Sequence, residues 1–237
     1  MPPSPDYTSH WRNFLAFHGL GAMVLGALLG ALGGSIPAGA AIGVVFGIAV
    51  ASYRAFRQPC DLTDWQIALL DGVITPLRRE QVEPDSYDVT LADEFHQIQP
   101  DGSTKTIRTE EIVIAPGECW LAHTQETFAF PATLKGTLQG KSSWARLSLF
   151  VECAGLFDKG FEGTAVLELH NAGSWGIILR KGDRIAQMSF HRTMKATAPY
   201  GSPARQSHYQ KQTGARESWL AKNERLTSSS EQAPRIP

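Results

Sequence analysis

Cysteine is scarce in this chain: three in 237 residues, none of them in a C-x-x-C pair. Cys60, Cys119 and Cys153 are too few and too scattered for a disulfide framework, and they miss zinc-ligand spacing. Both absences point to a reducing, cytosolic setting for the globular part. A basic excess is also missing. Lys and Arg number 22 against 23 Asp and Glu, a net charge of −1. A general nucleic-acid binder carries a basic face or stripe, so no nucleic acid is expected as a partner and any anion site must be local. The sharpest absence is regional. From Phe14 to Tyr53 there is no Asp, Glu, Lys or Arg, and His18 is the only readily titratable side chain.

That charge-free stretch falls into two runs, 14–34 and 38–53, joined through Ser35-Ile36-Pro37. Each is near the ~17–25 residues that a helix needs to cross a bilayer core. Glycines recur at Gly26, Gly30 and Gly34, and again at Gly39, Gly43 and Gly47. In water each would cost a helix up to ~1 kcal/mol. In a bilayer, small residues at this spacing form a smooth stripe that lets two helices approach closely. Gly33-Gly34-Ser35-Ile36-Pro37 is turn chemistry. A transmembrane helical hairpin is therefore expected over residues 14–57, after a polar tail at 1–13. Arg12 precedes it and Arg54 and Arg57 follow it, while its turn is uncharged. The positive-inside bias then puts both ends in the cytoplasm, so the protein should be membrane-anchored with its remaining domain cytoplasmic and with lipid as a partner of residues 14–53. Three other readings fit less well. A cleaved signal peptide would not be so long or be followed by a second run. An amphipathic surface helix needs a polar face. A buried soluble hairpin would have little protein to cover it.

From Cys60 the texture is that of ordinary soluble protein. Asp61–Gly72 reads as one helix, capped by Thr63 or Asp61, with Trp65, Leu69 and Leu70 on one face and Gly72 at its end. Short runs follow at 87–91, 94–98, 106–114, 119–124, 127–130, 134–138, 148–153, 165–169, 175–179 and 185–190. Asp101-Gly102, Pro116-Gly117 and Lys181-Gly182-Asp183 punctuate them as turns. Many short strands with regular turn signals predict a mainly β domain, a sandwich or a closed jelly-roll-like sheet, with a few short helices. It should span 58–215, with a disordered tail at 216–237.

Residues 140–171 concentrate the chemistry. Gly140-Lys-Ser-Ser-Trp-Ala-Arg146 supplies two hydroxyls and two cations, and Asp158 and Glu168 supply spaced acids between short apolar runs. Cations and hydroxyls meet an anion, and carboxylates accept protons, which is the inventory of a site for a small phosphorylated molecule. The same side chains would also suit a solvated hairpin whose charges only face water.

Four stretches, in order, tip the balance. They are Gly72-Val-Ile-Thr-Pro76, Val82-Glu-Pro-Asp-Ser-Tyr-Asp88 through Phe95, Gly140-Lys-Ser-Ser-Trp-Ala-Arg-Leu147, and Ala154-Gly-Leu-Phe-Asp-Lys-Gly-Phe-Glu-Gly163 with Leu167-Glu168-Leu-His-Asn171. A weaker fifth is Pro199-Tyr200 with Tyr209-Gln-Lys-Gln212. Over about two thirds of the chain this resembles the dCTP deaminase branch of the trimeric dUTPase-like superfamily. The resemblance implies a distorted jelly-roll or β-barrel subunit. It implies a homotrimer with active sites between subunits, converting dCTP to dUTP and ammonia without zinc. The residues agree on the last point, because the H-x-E with P-C-x-x-C of zinc deaminases is missing. Glu168 falls on the family's general base, and a glutamate on a buried strand can have its pKa raised toward neutrality. Lys141, Ser142 and Ser143 fall on the phosphate-contacting loop. Arg146 falls beside the reacting base, and with Ser142 it joins Glu168 as a catalytic residue. Asp158 falls at the sugar, and Val166 and Leu167 on the strand whose backbone reads the cytosine edge. Tyr200 and Gln212 fall on the segment that folds over the triphosphate. Mg²⁺ is expected with the triphosphate, with no dedicated protein cage.

Departures from the pattern matter as well. His208 stands where the family has a lysine, which gives a weaker, pH-dependent phosphate contact. Ala92 stands where glycine is usual. Gly155 stands where deaminase-only members often carry histidine, and members with glycine there include bifunctional enzymes that go on to dUMP and pyrophosphate. The leading expectation is thus a membrane-tethered dCTP deaminase. The alternatives are the bifunctional enzyme, or a non-catalytic nucleotide-binding or assembly module held at a membrane.

Overall fold

The computed structural model describes residues 60–99, 103–152 and 155–220. The expected N-terminal tail, the transmembrane hairpin and residues 221–237 of the expected C-terminal tail lie outside the described residues. Among the described residues no helix is long and apolar enough to cross a membrane.

The elements in chain order are β1 (Cys60–Asp61), α1 (Asp64–Ile67), β2 (Ile74–Thr75), a 3-10 turn at Arg79–Gln81, β3 (Tyr87–Thr90), β4 (Glu94–Ile98), β5 (Thr104–Arg108), β6 (Glu111–Ile114) and β7 (Cys119–Ala129). Then come β8 (Leu134–Gly140), α2 (Ser142–Ala145), β9 (Leu149–Glu152), β10 (Leu156–Phe157), β11 (Glu162–Asn171), β12 (Ile177–Arg180) and β13 (Arg184–Arg192). One sheet runs β1-β13-β8-β10 with β3 also on β13. A second runs β5-β4-β7-β11-β9 with β2 also on β7, and β12 pairs β6 in a small third sheet. The described domain is mainly β with a few short helices, as the alternating runs predict.

The alternation itself explains the core. In β13, Ile185, Ala186, Met188 and Phe190 are fully buried, and in β11 Leu167 and Leu169 are. Between them lies a phenylalanine cluster, with Phe130 stacked on Phe128 at 5.9 Å and tilted against Phe190 at 6.0 Å. Aromatic contacts of this kind add about 0.5–1.5 kcal/mol to simple burial. Gly136 of β8 is required by this packing, since a Cβ there would lie 2.6 Å from Phe130 Cζ and 2.7 Å from Met188 Sδ.

Three expected elements change. The helix over 61–72 contracts to the single turn of α1, where the Thr63 N–H donates to Gln66 Oε1 at 3.1 Å in part of a capping box. Ile67 and Ala68 are buried while Leu69 is 51% exposed, so the buried face is not that of Trp65 and Leu69. The Leu70 carbonyl accepts from both Val73 and Ile74, and Gly72 at φ +80° turns the chain away. The run at 106–114 splits into β5 and β6, which pair with different partners, β4 and β12. The runs at 119–124 and 127–130 fuse into β7. Gln125-Glu126 falls between the two expected runs, but Glu126 is buried and paired. It accepts from Thr90 N at 2.9 Å, Thr90 Oγ1 at 2.7 Å and Gln81 Nε2 at 3.0 Å, and faces Arg78 at 3.2 Å. A buried carboxylate so satisfied is tolerated inside a sheet. Nearby, burial pushes the Tyr87 hydroxyl up to about 12 despite the Arg78 N–H that it accepts.

Candidate active site

β11 carries the site, and a bulge sets its aim. Its ladder to β7 runs through Thr164↔Thr127 and then shifts, so that Val166 lies opposite His123 and Glu168 opposite Leu121. The Ala165 N–H leaves the ladder and donates to Thr124 Oγ1 at 3.0 Å. Thr164 and Ala165 are both buried, and beyond them Val166, Glu168 and His170 stand half-buried on the outer face. A bulge re-aims the side chains that follow it. Leu167 therefore points into the core with no exposed surface, and only its backbone is left to take part in recognition.

Val166 and Glu168 open onto a cleft of about 770 Å³ shared with Asp158, Phe161, Tyr200 and Gln212. That volume suits a small-molecule ligand. Asp158 is exposed at the turn after β10, where its carbonyl accepts from Phe161 N at 3.0 Å. Gly160 makes the turn possible. It holds φ at +90°, and a Cβ on it would lie 2.6 Å from the Tyr200 carbonyl. The Tyr200 N–H donates to the Lys159 carbonyl at 2.8 Å and its ring packs 6.0 Å from Phe161. Gln212 is stitched to β11. The Thr164 N–H donates to the Gln212 carbonyl at 3.0 Å, and Gln212 Nε2 donates to the Thr164 carbonyl at 2.8 Å. One of the two N–H groups of its side-chain amide is thus used by the fold, while Gln212 still lines the cleft. Residues beyond 215, expected to be tail, instead add Arg216, Glu217, Ser218 and Leu220 to the cleft wall. Glu94 anchors them, accepting from Ala215 N at 3.2 Å and from Arg108 at 2.6 Å. Burial alone would raise the Glu94 carboxyl, but Arg108 and the Ala215 N–H together hold it below its usual value.

The remaining expected residues lie elsewhere. Lys141, Ser142, Ser143 and Arg146 sit on or beside α2, and none lines the cleft. The Lys141 ammonium pairs with the Asp88 carboxylate, whose Oδ2 also meets Arg184 Nη1 at 3.4 Å. Arg184 in turn donates to the Glu80 carbonyl at 2.8 Å, and its own carbonyl accepts from Trp144 Nε1 at 2.9 Å. Ser142, Ser143 and Arg146 are exposed. His208 is exposed too, stacked on Trp219 at 4.1 Å and outside the cleft wall. Two separate groupings result: an acidic, apolar-walled cleft and a ledge of hydroxyls and cations. Sequence reasoning missed Asp88, Arg184 and Arg216. Asp88 was findable, since it lies in a fully buried strand and a buried carboxylate calls for a cation. Among the described residues no group of three or more His, Cys, Asp or Glu could hold a metal ion.

A mainly β domain of this topology, with a cleft walled by β11 and the C-terminal segment, has the dUTPase-like fold. The match to the dCTP deaminase-like family covers residues 62–193, and the chain belongs to that family. It is 37% identical over 160 residues to the "dCTP deaminase, dUMP-forming" of Methanobrevibacter smithii, covering 59% of this chain and 82% of that protein. Against the protein of the same description from Acidothermus cellulolyticus it is 37% identical over 172 residues, covering 64% and 89%. The crystal structure of 2'-deoxycytidine 5'-triphosphate deaminase from Agrobacterium tumefaciens superposes with a TM-score of 0.51 at 22% identity. That superposition spans 57% of this chain and about half, 49%, of the other, and shows the common fold.

Proposed function

We propose that the protein converts dCTP to dUMP in two hydrolytic steps, at a site completed by a second copy of the chain. Water first replaces the amine at C4 of cytosine, giving dUTP and ammonia. A second water then cleaves dUTP to dUMP and pyrophosphate. The observation that carries this reading is that Glu168 and Asp158 line one cleft from different elements, one half-buried on a strand and one exposed on a turn. They can therefore serve different atoms of one substrate. Glu168 takes the proton of the water as its oxygen bonds to C4, and returns it to the amine as the C–N bond breaks. Asp158 lies toward the sugar and assists the second water at the α-phosphate. The two relatives named above are dUMP-forming, and glycine at position 155 agrees with them.

The ledge supplies the rest from a neighbouring copy in a homotrimer. Ser142 and Arg146 come beside the reacting base, and Lys141 and Ser143 meet the phosphates. Tyr200 closes one wall, and the backbone at Val166 and Leu167 faces the base. Mg²⁺ would arrive with the triphosphate and would neutralise and polarise its phosphate oxygens; among the described residues no carboxylate cluster is built to hold it. The glycine-phased segment at 14–57 tethers the enzyme to lipid. The test is a time course of the full chain with dCTP and MgCl₂, resolved by anion-exchange chromatography. dUMP and pyrophosphate should rise with ammonia. Accumulation of dUTP alone would leave a one-step deaminase, and no ammonia would contradict both.

A further inference from the structure

A triphosphate brings several negative charges against a wall that already holds Asp158, Glu168 and Glu217, where a cation on the wall itself would act beside the Lys141 of a neighbouring copy. Among the described residues lining it, Arg216 is the only one with a cationic side chain. The neighbouring cations are committed: Lys159 Nζ donates to the Met194 carbonyl at 3.1 Å, and Lys211 faces Glu162 at 3.8 Å. His208 is turned onto Trp219. Arg216, by contrast, is exposed with no described side-chain partner, and it is held between two anchored neighbours. Ala215 is fixed by its N–H on Glu94, and Glu217 by the Thr104 hydroxyl that donates to it. Gly214, at φ +73°, runs so close to Glu94 that a Cβ would clash with its carboxylate. The backbone on either side of Arg216 is thus fixed while its guanidinium stays available.

We infer that Arg216 is a phosphate-binding cation of this cleft, contributed by its own wall. The inference rests on the dCTP reading of the same site. A guanidinium offers a forked set of donors that suits phosphate oxygens, and it stays charged where a histidine would not. The side chain acts on binding and not on the reacting atoms at C4.

Calorimetric binding to the full-length protein tests this, with dCTP plus MgCl₂ and with deoxycytidine, alongside ammonia release. Arg216→Gln should weaken dCTP roughly ten- to a hundredfold, the worth of a charge-assisted hydrogen bond. It should leave deoxycytidine affinity nearly unchanged and raise the KM for dCTP more than it lowers kcat, and Arg216→Lys should recover part of the loss. His208→Ala should bind dCTP like wild type. Unchanged dCTP affinity in Arg216→Gln overturns the inference and leaves the deaminase reading standing. So does an equal loss on deoxycytidine, which marks Arg216 as structural. Wild-type protein that fails to bind dCTP overturns the deaminase reading itself, and the role of Arg216 with it.

Discussion

The ammonium of Lys141 is paired with the carboxylate of Asp88, a residue of β3 with no exposed surface. Lys141 keeps 22% of its side chain exposed and Arg184, on the same oxygen, 42%. Among the described residues Asp88 Oδ1 has no hydrogen-bond partner. One buried charge thus fixes two surface cations beside the hydroxyls of α2, and it positions the ledge without itself reaching a ligand.

Asp88→Asn removes that charge and leaves Lys141 and Arg184 to repel each other. The expected loss is about 1–3 kcal/mol in urea unfolding, below the 3–5 kcal/mol of a fully buried pair because both cations are partly in water. The KM for dCTP should rise more than kcat falls. Lys141→Met keeps the Asp88–Arg184 contact and should cost less stability. The reverse order of the two variants would count against the pairing as described.

Acid should loosen the C-terminal wall of the cleft. The Glu94 carboxyl is held below its usual value by Arg108 and the Ala215 N–H, so its folded pKa lies under its unfolded one. Its contribution is complete above the usual glutamate range and is lost as pH falls through the folded pKa. Protection of residues 209–220 against proteolysis should therefore decline on the acid side of that range. Glu94→Gln should be sensitive already at neutral pH and should show little further acid dependence. Identical acid profiles for the two proteins would remove Glu94 as the anchor.

The proposed sharing of the site between copies makes a statistical expectation. Arg146→Ala and Glu168→Gln should each be nearly inactive alone. Co-assembled at equal ratio in a cyclic oligomer, about a quarter of the sites would draw an intact Arg146 from one copy and an intact Glu168 from the next. Ammonia release by the mixture should approach that fraction of wild type. Activity no higher than that of either variant alone would mean that the ledge and the cleft do not form one site.

Much of this was legible in the sequence because short alternating runs report burial directly. The strands around Phe95, Leu138, Leu169 and Phe190 follow from alternation, and the cleft members Asp158 and Glu168 from the resemblance to the dCTP deaminase family. What escaped depended on partners distant in the chain. Glu126 looked like a break in β7 because its neighbours Arg78, Gln81 and Thr90 are 36 or more residues away. The bond from Gln212 to the Thr164 carbonyl escaped because the two residues are 48 apart in the chain. Arg216 fell in a polar stretch that carries no periodicity, and its anchor Glu94 is 121 residues from Ala215. Helix α1 was overextended because an apolar face was inferred where Gly72 and a doubly used Leu70 carbonyl end the turn.

The most direct measurement is the rate of ammonia release from dCTP with Mg²⁺ by the full chain and by Glu168→Gln. Replacing a proton-transferring carboxylate with an amide of the same shape should slow the reaction about 10²–10⁴-fold, with dCTP still bound and the circular dichroism unchanged. Wild-type release with a Glu168→Gln rate close to it would contradict the assignment of Glu168 as the base, and with it the cleft as the site of the chemistry.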